Sequence, residues 1–325
     1  MKIAFLSFYG GLNERGVETY VEEISTRLVN LGHDVTVYQN GASRKKTNYR
    51  VAYLPSLFLL PPFDSDPDVL IPTNGRLQSV TARAWSLWHR KKYLAVGQSG
   101  LGADDKLNLF TFPDVFIGLT DYQCRWARQV NSLVRTARIS NGVNTQKFSP
   151  DVTPFAFNLP KPLVLSVAAF ESIKRLDLLI AAVAKTPFSL ALVGRGSLQT
   201  ELDQLGQRLL GPGRFRILSL PQDQLPAAYT AADVFAYPTS PWESFGIVML
   251  EALSANRPVV ATADPIRQEI LDTAGLTADP ASPDAFAAAL QSAVKTDWGD
   301  RPRTRAGQFT WDEAASRYHT LLSKL

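Results

Sequence analysis

The chain has 325 residues, 45% of them hydrophobic and 20% charged, with a formal net charge of +4. That length and apolar share exceed one small core and suit two domains. A lone cysteine, Cys124, excludes an intramolecular disulfide and fits a reducing compartment, and no Cys/His cluster has zinc spacing.

The chain opens with Lys2 and the short apolar run Ile3-Ala4-Phe5-Leu6, which reads as a first strand and not as a signal peptide. No uninterrupted apolar run reaches the length of a membrane span, so the expected location is the cytoplasm. Strand-like runs of Val, Ile, Leu and Phe cover 2–8, 34–38, 163–168, 188–193, 233–237 and 257–261. Helical patterns lie between them at 17–31, 174–184, 197–210 and 244–255. This alternation predicts parallel sheets covered by helices on both faces. Pro150, Pro154, Pro160 and Pro162 cluster near the middle and read as a linker, because proline continues neither a helix nor a central strand.

The first strand is followed by Gly10-Gly11-Leu12-Asn13-Glu14-Arg15-Gly16. The spacing is not that of a dinucleotide fingerprint, and the second strand ends in Tyr38-Gln39-Asn40 with no acid for a ribose, which argues against a nicotinamide oxidoreductase. The alternative for each glycine is a tight turn. Leu57-Phe58-Leu59-Leu60-Pro61-Pro62-Phe63 is an apolar loop, and Asp64-Ser65-Asp66 reads as a turn and not as a metal pair. Over 76–94, Arg76, Arg83, His89, Arg90, Lys91 and Lys92 alternate with Leu77, Val80, Trp85, Leu87 and Trp88. A helix with these two faces suits an anionic membrane surface, and the alternative is a helix packing its Trp residues into the domain. No nucleic-acid-binding motif is present. His33, His89 and His319 offer no evident catalytic base.

The most informative stretch is Glu243-Ser244-Phe245-Gly246-Ile247-Val248-Met249-Leu250-Glu251. It follows the short strand Ala232-Asp233-Val234-Phe235-Ala236-Tyr237-Pro238 and precedes Arg257-Pro258-Val259-Val260-Ala261-Thr262. The amides around Phe245, Gly246, Ile247 and Val248 would then open a helix, where unpaired N–H groups and the dipole attract phosphate. Glu243 would sit at that mouth, and Glu251 about two turns on. A capped helix with one exposed and one structural Glu is the plain alternative.

These residues resemble the signature of retaining GT-B glycosyltransferases, most closely glycosyltransferase family 4. Other stretches resemble the family in the right order: Gly32-His33-Asp34-Val35-Thr36-Val37, Asn141-Gly142-Val143-Asn144, Lys174-Arg175-Leu176-Asp177, Val193-Gly194-Arg195-Gly196-Ser197-Leu198 and Phe309-Thr310-Trp311. The resemblance implies two Rossmann-like domains with parallel sheets facing a central cleft. It implies an acceptor-side domain over 1–152, completed by a helix at 310–325, and a nucleotide-sugar domain over 153–309. The implied activity is transfer of a hexose from a nucleotide diphosphate sugar, UDP or GDP linked, to a glycan or lipid-linked hydroxyl, with retention of configuration. The implied roles are Glu243 at the sugar, Glu251 at the ribose, and Lys174 with Arg175 at the diphosphate. Gly10, Gly11 and Gly246 give the phosphates backbone access, and Arg195, Gly196 and Leu220 border the base. Gln98 and Ser99 stand on the acceptor side. No cofactor and no metal is implied.

The chain departs from the family at two places. Ala168 and Ala169 stand where the family carries Gly and Arg, so the second cation of the diphosphate clamp must come from Arg175 or Arg195. Gln98 stands where many relatives carry His, and an amide does not take up a proton near neutral pH. These departures keep two rivals open: a non-catalytic nucleotide-sugar binder, and another GT-B activity such as an epimerase or phosphorylase.

Overall fold

The computed structural model describes residues 1–12, 15–42, 46–56, 60, 61, 63 and 66–325. Asn13 and Glu14 of the glycine loop, most of the 57–63 loop, and Asp64 and Ser65 lie outside the described residues. Two compact units divide the chain: Met1–Gly142 with Trp311–Leu325, and Val143–Thr310.

The first unit runs β1 (Lys2–Leu6), α1 (Gly16–Asn30), β2 (Asp34–Gln39), β3 (Arg50–Tyr53), β4 (Val69–Pro72), α2 (Arg76–Trp88), β5 (Lys92–Val96), α3 (Ala103–Phe110), β6 (Val115–Gly118), α4 (Asp121–Val130) and β7 (Thr136–Arg138). The second runs β8 (Leu163–Val167), a 3₁₀ turn (Ser172–Lys174), α5 (Leu176–Val183), β9 (Ser189–Val193), α6 (Gln199–Leu209), β10 (Phe215–Leu218), α7 (Leu225–Ala231), β11 (Val234–Tyr237), α8 (Ile247–Ser254), β12 (Val259–Thr262), α9 (Pro265–Leu271), β13 (Gly275–Ala278), α10 (Pro283–Lys295) and α11 (Arg301–Ala306). The last helix, α12 (Trp311–Leu322), belongs to the first unit.

Both sheets are parallel. Their strand orders are β3-β2-β1-β4-β5-β6-β7 and β10-β9-β8-β11-β12-β13. Strands β4, β8, β9, β11 and β12 are buried along their whole length, as expected of strands covered on both faces. In each sheet the order reverses beside the first strand, between β1 and β4 and between β8 and β11. Loops leaving the carboxyl ends of such a strand pair diverge and leave a crevice, where ligands bind in open α/β sheets. In the second unit those loops are 168–175 and 238–246.

In the first unit α12 seats on α1. The hydroxyls of Tyr20 and Tyr318 meet at 2.6 Å in the interior, and Arg27 Nε donates to Asp312 Oδ1 at 2.6 Å. His33 Nε2 and His319 Nδ1 share a hydrogen bond of 2.9 Å.

The structure corrects several boundaries. The units divide at Gly142, before the expected 152, and the proline-rich stretch lies within the second unit. The cause is local: Ser254 Oγ donates to the Phe148 carbonyl at 2.7 Å, Phe155 N donates to the Ala227 carbonyl at 2.8 Å, and the Phe148 ring packs on Tyr229. Helix α5 starts at Leu176 and not at 174, because Lys174 ends the 3₁₀ turn and Arg175 takes a left-handed conformation with φ 51°. Helix α8 starts at Ile247 and not at 244, because Gly246 is left-handed with φ 82°.

The expected two-faced helix over 76–94 also ends early. Trp88 closes α2, and Lys92 already belongs to β5. Gln78, Ser79, Ala82 and Ser86 form the buried face of α2, while Leu77, Val80, Leu87 and Trp88 face solvent, Trp88 at 87% exposure. Several cations of this region are paired: Arg76 with Asp104, Arg83 and Lys92 with Asp114, and Lys91 with Asp66.

Candidate functional site

In the second unit, both loops at the reversal of strand order carry charge. The loop after β8 ends in Lys174, and the loop after β11 carries Glu243. Lys174 Nζ donates to Glu243 Oε2 at 2.8 Å, and each side chain is only 19% exposed. Thr239 Oγ1 stands 3.1 Å from the same carboxylate oxygen and 3.1 Å from the Ile173 carbonyl. Ser240 N donates to that carbonyl at 2.8 Å, so the two loops are tied together at their bases. The Lys174 ammonium also lies 5.7 Å from the centre of the Tyr237 ring. Burial pulls this ammonium down, but the oxygens of Tyr237 and Glu243 outweigh it and hold Lys174 above its ordinary value. It stays cationic. One of its three protons goes to Glu243.

The loop then turns into α8 through Gly246. A Cβ there would stand 2.8 Å from Tyr237 Cε1, and the positive φ already disfavours a side chain, so only glycine fits. Ile247 and Val248 supply first-turn amides that have no intrahelical carbonyl to bond. Phe245 is buried and faces Phe309 at 6.1 Å between ring centres, so it offers a ligand backbone and not side chain.

Glu251 lies on α8 and is 9% exposed. The Tyr229 hydroxyl donates to its Oε2 at 2.6 Å. Burial pushes the Glu251 carboxyl up, while the Tyr229 hydrogen bond and the charge of Lys147 pull it back in part. Burial and the carboxylate beside it drive the Tyr229 phenol well above its ordinary value, so this hydroxyl remains a donor.

The turn after β9 lies beside the loop that follows β8. Phe170 N donates to the Arg195 carbonyl at 3.0 Å, and Glu171 accepts from Ser197 N and Oγ at 3.2 and 2.7 Å. A Cβ on Gly194 would stand 1.9 Å from the Ala168 carbonyl oxygen, which fixes glycine at that position. Arg195 and Gly196 are exposed, and Arg175 is half-buried. Leu220 is half-buried just past the carboxyl end of β10.

The first unit carries the remaining predicted residues. Gly10 closes a turn on the Ser7 carbonyl at 2.8 Å, and Gly11 has φ 73° with no room for a side chain beside Ala42. Gln98 and Asn141 exchange both amide bonds, at 3.0 and 3.2 Å, which takes up half of the hydrogen-bonding capacity of Gln98. Ser99 is exposed. Beneath them Asp105 is fully buried, and burial raises its carboxyl well above the usual range despite the amides of Asn108, Gly100 and Ser99. Among the described residues no group of three or more His, Cys, Asp or Glu could hold a metal ion.

Tyr229, Tyr237, Thr239 and Arg267 take part in this arrangement, and none is marked by sequence motif. The Asp264-Pro265 pair was a usable signal for α9, since Asp favours the N-cap and Pro the first helical position.

Residues 151–309 match the family model described as Glycosyl transferases group 1. The chain is 36% identical over 129 residues to the O-antigen chain mannosyltransferase B of Escherichia coli, covering 38% of this chain and 34% of that protein. It is 34% identical over 203 residues to the D-inositol 3-phosphate glycosyltransferase of Xylanimonas cellulosilytica, covering 54% of this chain and 48% of that protein. The chain thus spans about a third to a half of the length of these two relatives. Among solved structures, Anabaena HepE in complex with UDP and glucose superposes with a TM-score of 0.82 at 20% identity, over 100% of both chains. The fold is that of the GT-B glycosyltransferases, and the matched sequences support a glycosyltransferase.

Proposed function

We propose that the protein is a retaining glycosyltransferase that moves a hexose from a nucleotide diphosphate sugar to an acceptor hydroxyl. The observation that carries the reading is the half-buried Lys174–Glu243 pair at the strand-order reversal of the second unit, beside the open amides of α8. A leaving diphosphate needs a cation and N–H donors, and the sugar carbon it leaves needs a negative charge nearby. Lys174 and the amides of Gly246, Ile247 and Val248 meet the first need, with Arg175 and Arg195 as further cations. Glu243 meets the second. Glu251 accepts from the ribose, and Leu220 borders the base.

In the transfer the bond from the anomeric carbon to the diphosphate oxygen breaks. A bond to the acceptor oxygen forms on the same face, and the acceptor proton passes to the departing phosphate. No histidine is required by this route, and no metal. Acceptor recognition falls to the first unit, with Gln98 and Ser99 its candidates. The outward Leu77, Val80, Leu87 and Trp88 of α2 support a lipid-linked acceptor at the cytoplasmic face of an anionic membrane. Because several cations near α2 are paired, that contact would be mainly apolar, and vesicle binding should resist salt.

The test is thermal stability with UDP, GDP, ADP and their sugar conjugates, with and without EDTA. A ligand that binds the folded state raises the melting temperature by mass action. One nucleotide should shift it, with EDTA without effect, and its sugar conjugate should then be turned over. Binding without turnover of any conjugate would favour the non-catalytic binder, which the Ala169 departure already motivates. Conversion of the conjugate without acceptor would favour an epimerase.

A further inference from the structure

The loop from Pro238 to Gly246 has no regular secondary structure, yet it carries Glu243. Its carbonyls therefore need partners from elsewhere. They come largely from one side chain. Arg267 is wholly buried at 0% exposure. Its Nη1 donates to the carbonyls of Glu243 at 2.9 Å and Ser244 at 3.2 Å. Its Nη2 donates to those of Ser240 at 3.3 Å and Pro241 at 3.2 Å. The remaining donor, Nε, meets Asp264 Oδ2 at 2.7 Å. A guanidinium has five N–H donors, and all five have partners here.

Asp264 is itself fixed. It caps α9, its Oδ1 accepting from Ile266 N and Arg267 N at 2.9 and 3.1 Å. The order of constraint therefore runs from the helix cap to the guanidinium, from there to the loop carbonyls of residues 240, 241, 243 and 244, and from the loop to Glu243. The closest of those carbonyls belongs to Glu243 itself. The loop is also attached at its start, where Thr262 Oγ1 bonds the Thr239 carbonyl and Ser240 N bonds Ile173, and through the Glu243 carboxylate, which accepts from Lys174. Arg267 thus supplies four hydrogen bonds to the backbone of residues 240–244.

We infer that Arg267 is a positioning residue: it sets where the Glu243 carboxylate stands relative to Lys174 and the reacting sugar carbon, without touching the substrate. The inference rests on the glycosyltransferase reading only for its effect on rate. A reacting group displaced by about 1 Å can lose on the order of 100-fold in rate. Nucleotide binding draws on Lys174, Glu251 and the α8 amides, so it should change little. The device also explains why arginine is required. A lysine ammonium has three donors and no fork, and cannot serve four carbonyls and a carboxylate.

The experiment is Arg267→Lys, with Asp264→Asn as the second variant in case the first does not fold. Three quantities are compared with wild type: amide exchange of residues 240–246, affinity for whichever of UDP, GDP and ADP the wild type binds, and kcat for release of nucleotide from its sugar conjugate. The expected result is faster exchange confined to 240–246, nucleotide affinity kept within about threefold, and kcat lower on the order of 100-fold. Exchange unchanged at 240–246 overturns the inference, as does exchange raised across the whole second unit, which would make Arg267 a general structural residue. Loss of affinity in proportion to kcat overturns it too. If wild type turns over no conjugate, the function proposed above fails, while the exchange pattern still decides what Arg267 does to the loop.

Discussion

The two units share one plan and differ in chemistry. Each is a parallel sheet whose order reverses beside its first strand. In the second unit that reversal holds an ion pair, a glycine-capped helix start and a carboxylate–phenol pair. In the first it holds glycine turns, and the predicted polar residues nearby form a neutral amide pair. The lesson is that topology supplies the crevice and charge decides its occupant. On the function proposed here, the diphosphate falls to the second unit and the acceptor hydroxyl to the first. Each prediction below would break or sharpen that division of labour.

The largest effect is expected from Glu243→Ala. Losing a preorganised electrostatic group costs on the order of 100- to 1,000-fold in kcat. The fold should persist, because Arg267 still holds the loop carbonyls when the pairing of Glu243 with Lys174 is lost. Steady-state kinetics with matched melting curves measure both. Activity like wild type would remove Glu243 from the chemistry and leave the charge asymmetry without a function.

Next is Gly246→Ala. A non-glycine residue in the left-handed region costs about 1–3 kcal/mol, and the added methyl would also meet the Tyr237 ring. The expected result is a lower melting temperature together with weaker nucleotide binding, since the amides of α8 would shift. Nucleotide affinity kept at wild-type level in a destabilised protein would mean that α8 does not hold the phosphates.

Much of this was legible in the sequence, and the illegible part has a physical pattern. The apolar runs at 163–168 and 233–237 mark β8 and β11 because a strand buried on both faces leaves a continuous signal. The Phe245-Gly246 pair marked a turn, but not that its left-handed glycine delays α8 by three residues. Lys174 and Glu243 were each visible as candidates. Their contact was not, because the partners lie 69 residues apart and no local period encodes such a pair. Arg267 was hidden for the same reason. A charged residue three positions into a short helix reads as solvated, and only the folded chain brings the 240–244 carbonyls to it.

A smaller effect concerns pH. The folded-state value of Glu251 lies above the ordinary 4.5. The sign follows: its contribution to stability is fully present below 4.5 and is lost as pH rises through the raised value. Above the raised value the ionised carboxylate can accept from a ribose. As pH falls through the raised value, protonation competes with the ribose and nucleotide affinity should drop. Tyr229→Phe removes a hydroxyl that pulls Glu251 down, so this drop should move to higher pH. The lost bond to a charged acceptor corresponds to about 1.5–3 kcal/mol. Nucleotide affinity measured across pH for both proteins gives the answer, and an unmoved profile would separate Glu251 from the ribose.

The smallest effect on nucleotide binding should come from the first unit, and its smallness is the point. Gln98→Ala breaks the amide pair with buried Asn141 and leaves that side chain unsatisfied, which costs about 1–3 kcal/mol of stability. On the proposed division of roles, nucleotide affinity should stay within about twofold of wild type. The KM for acceptor should rise if Gln98 meets the acceptor hydroxyls. A nucleotide affinity reduced tenfold or more would mean that the donor depends on the first unit, and neutral amides could no longer be assigned to the acceptor alone.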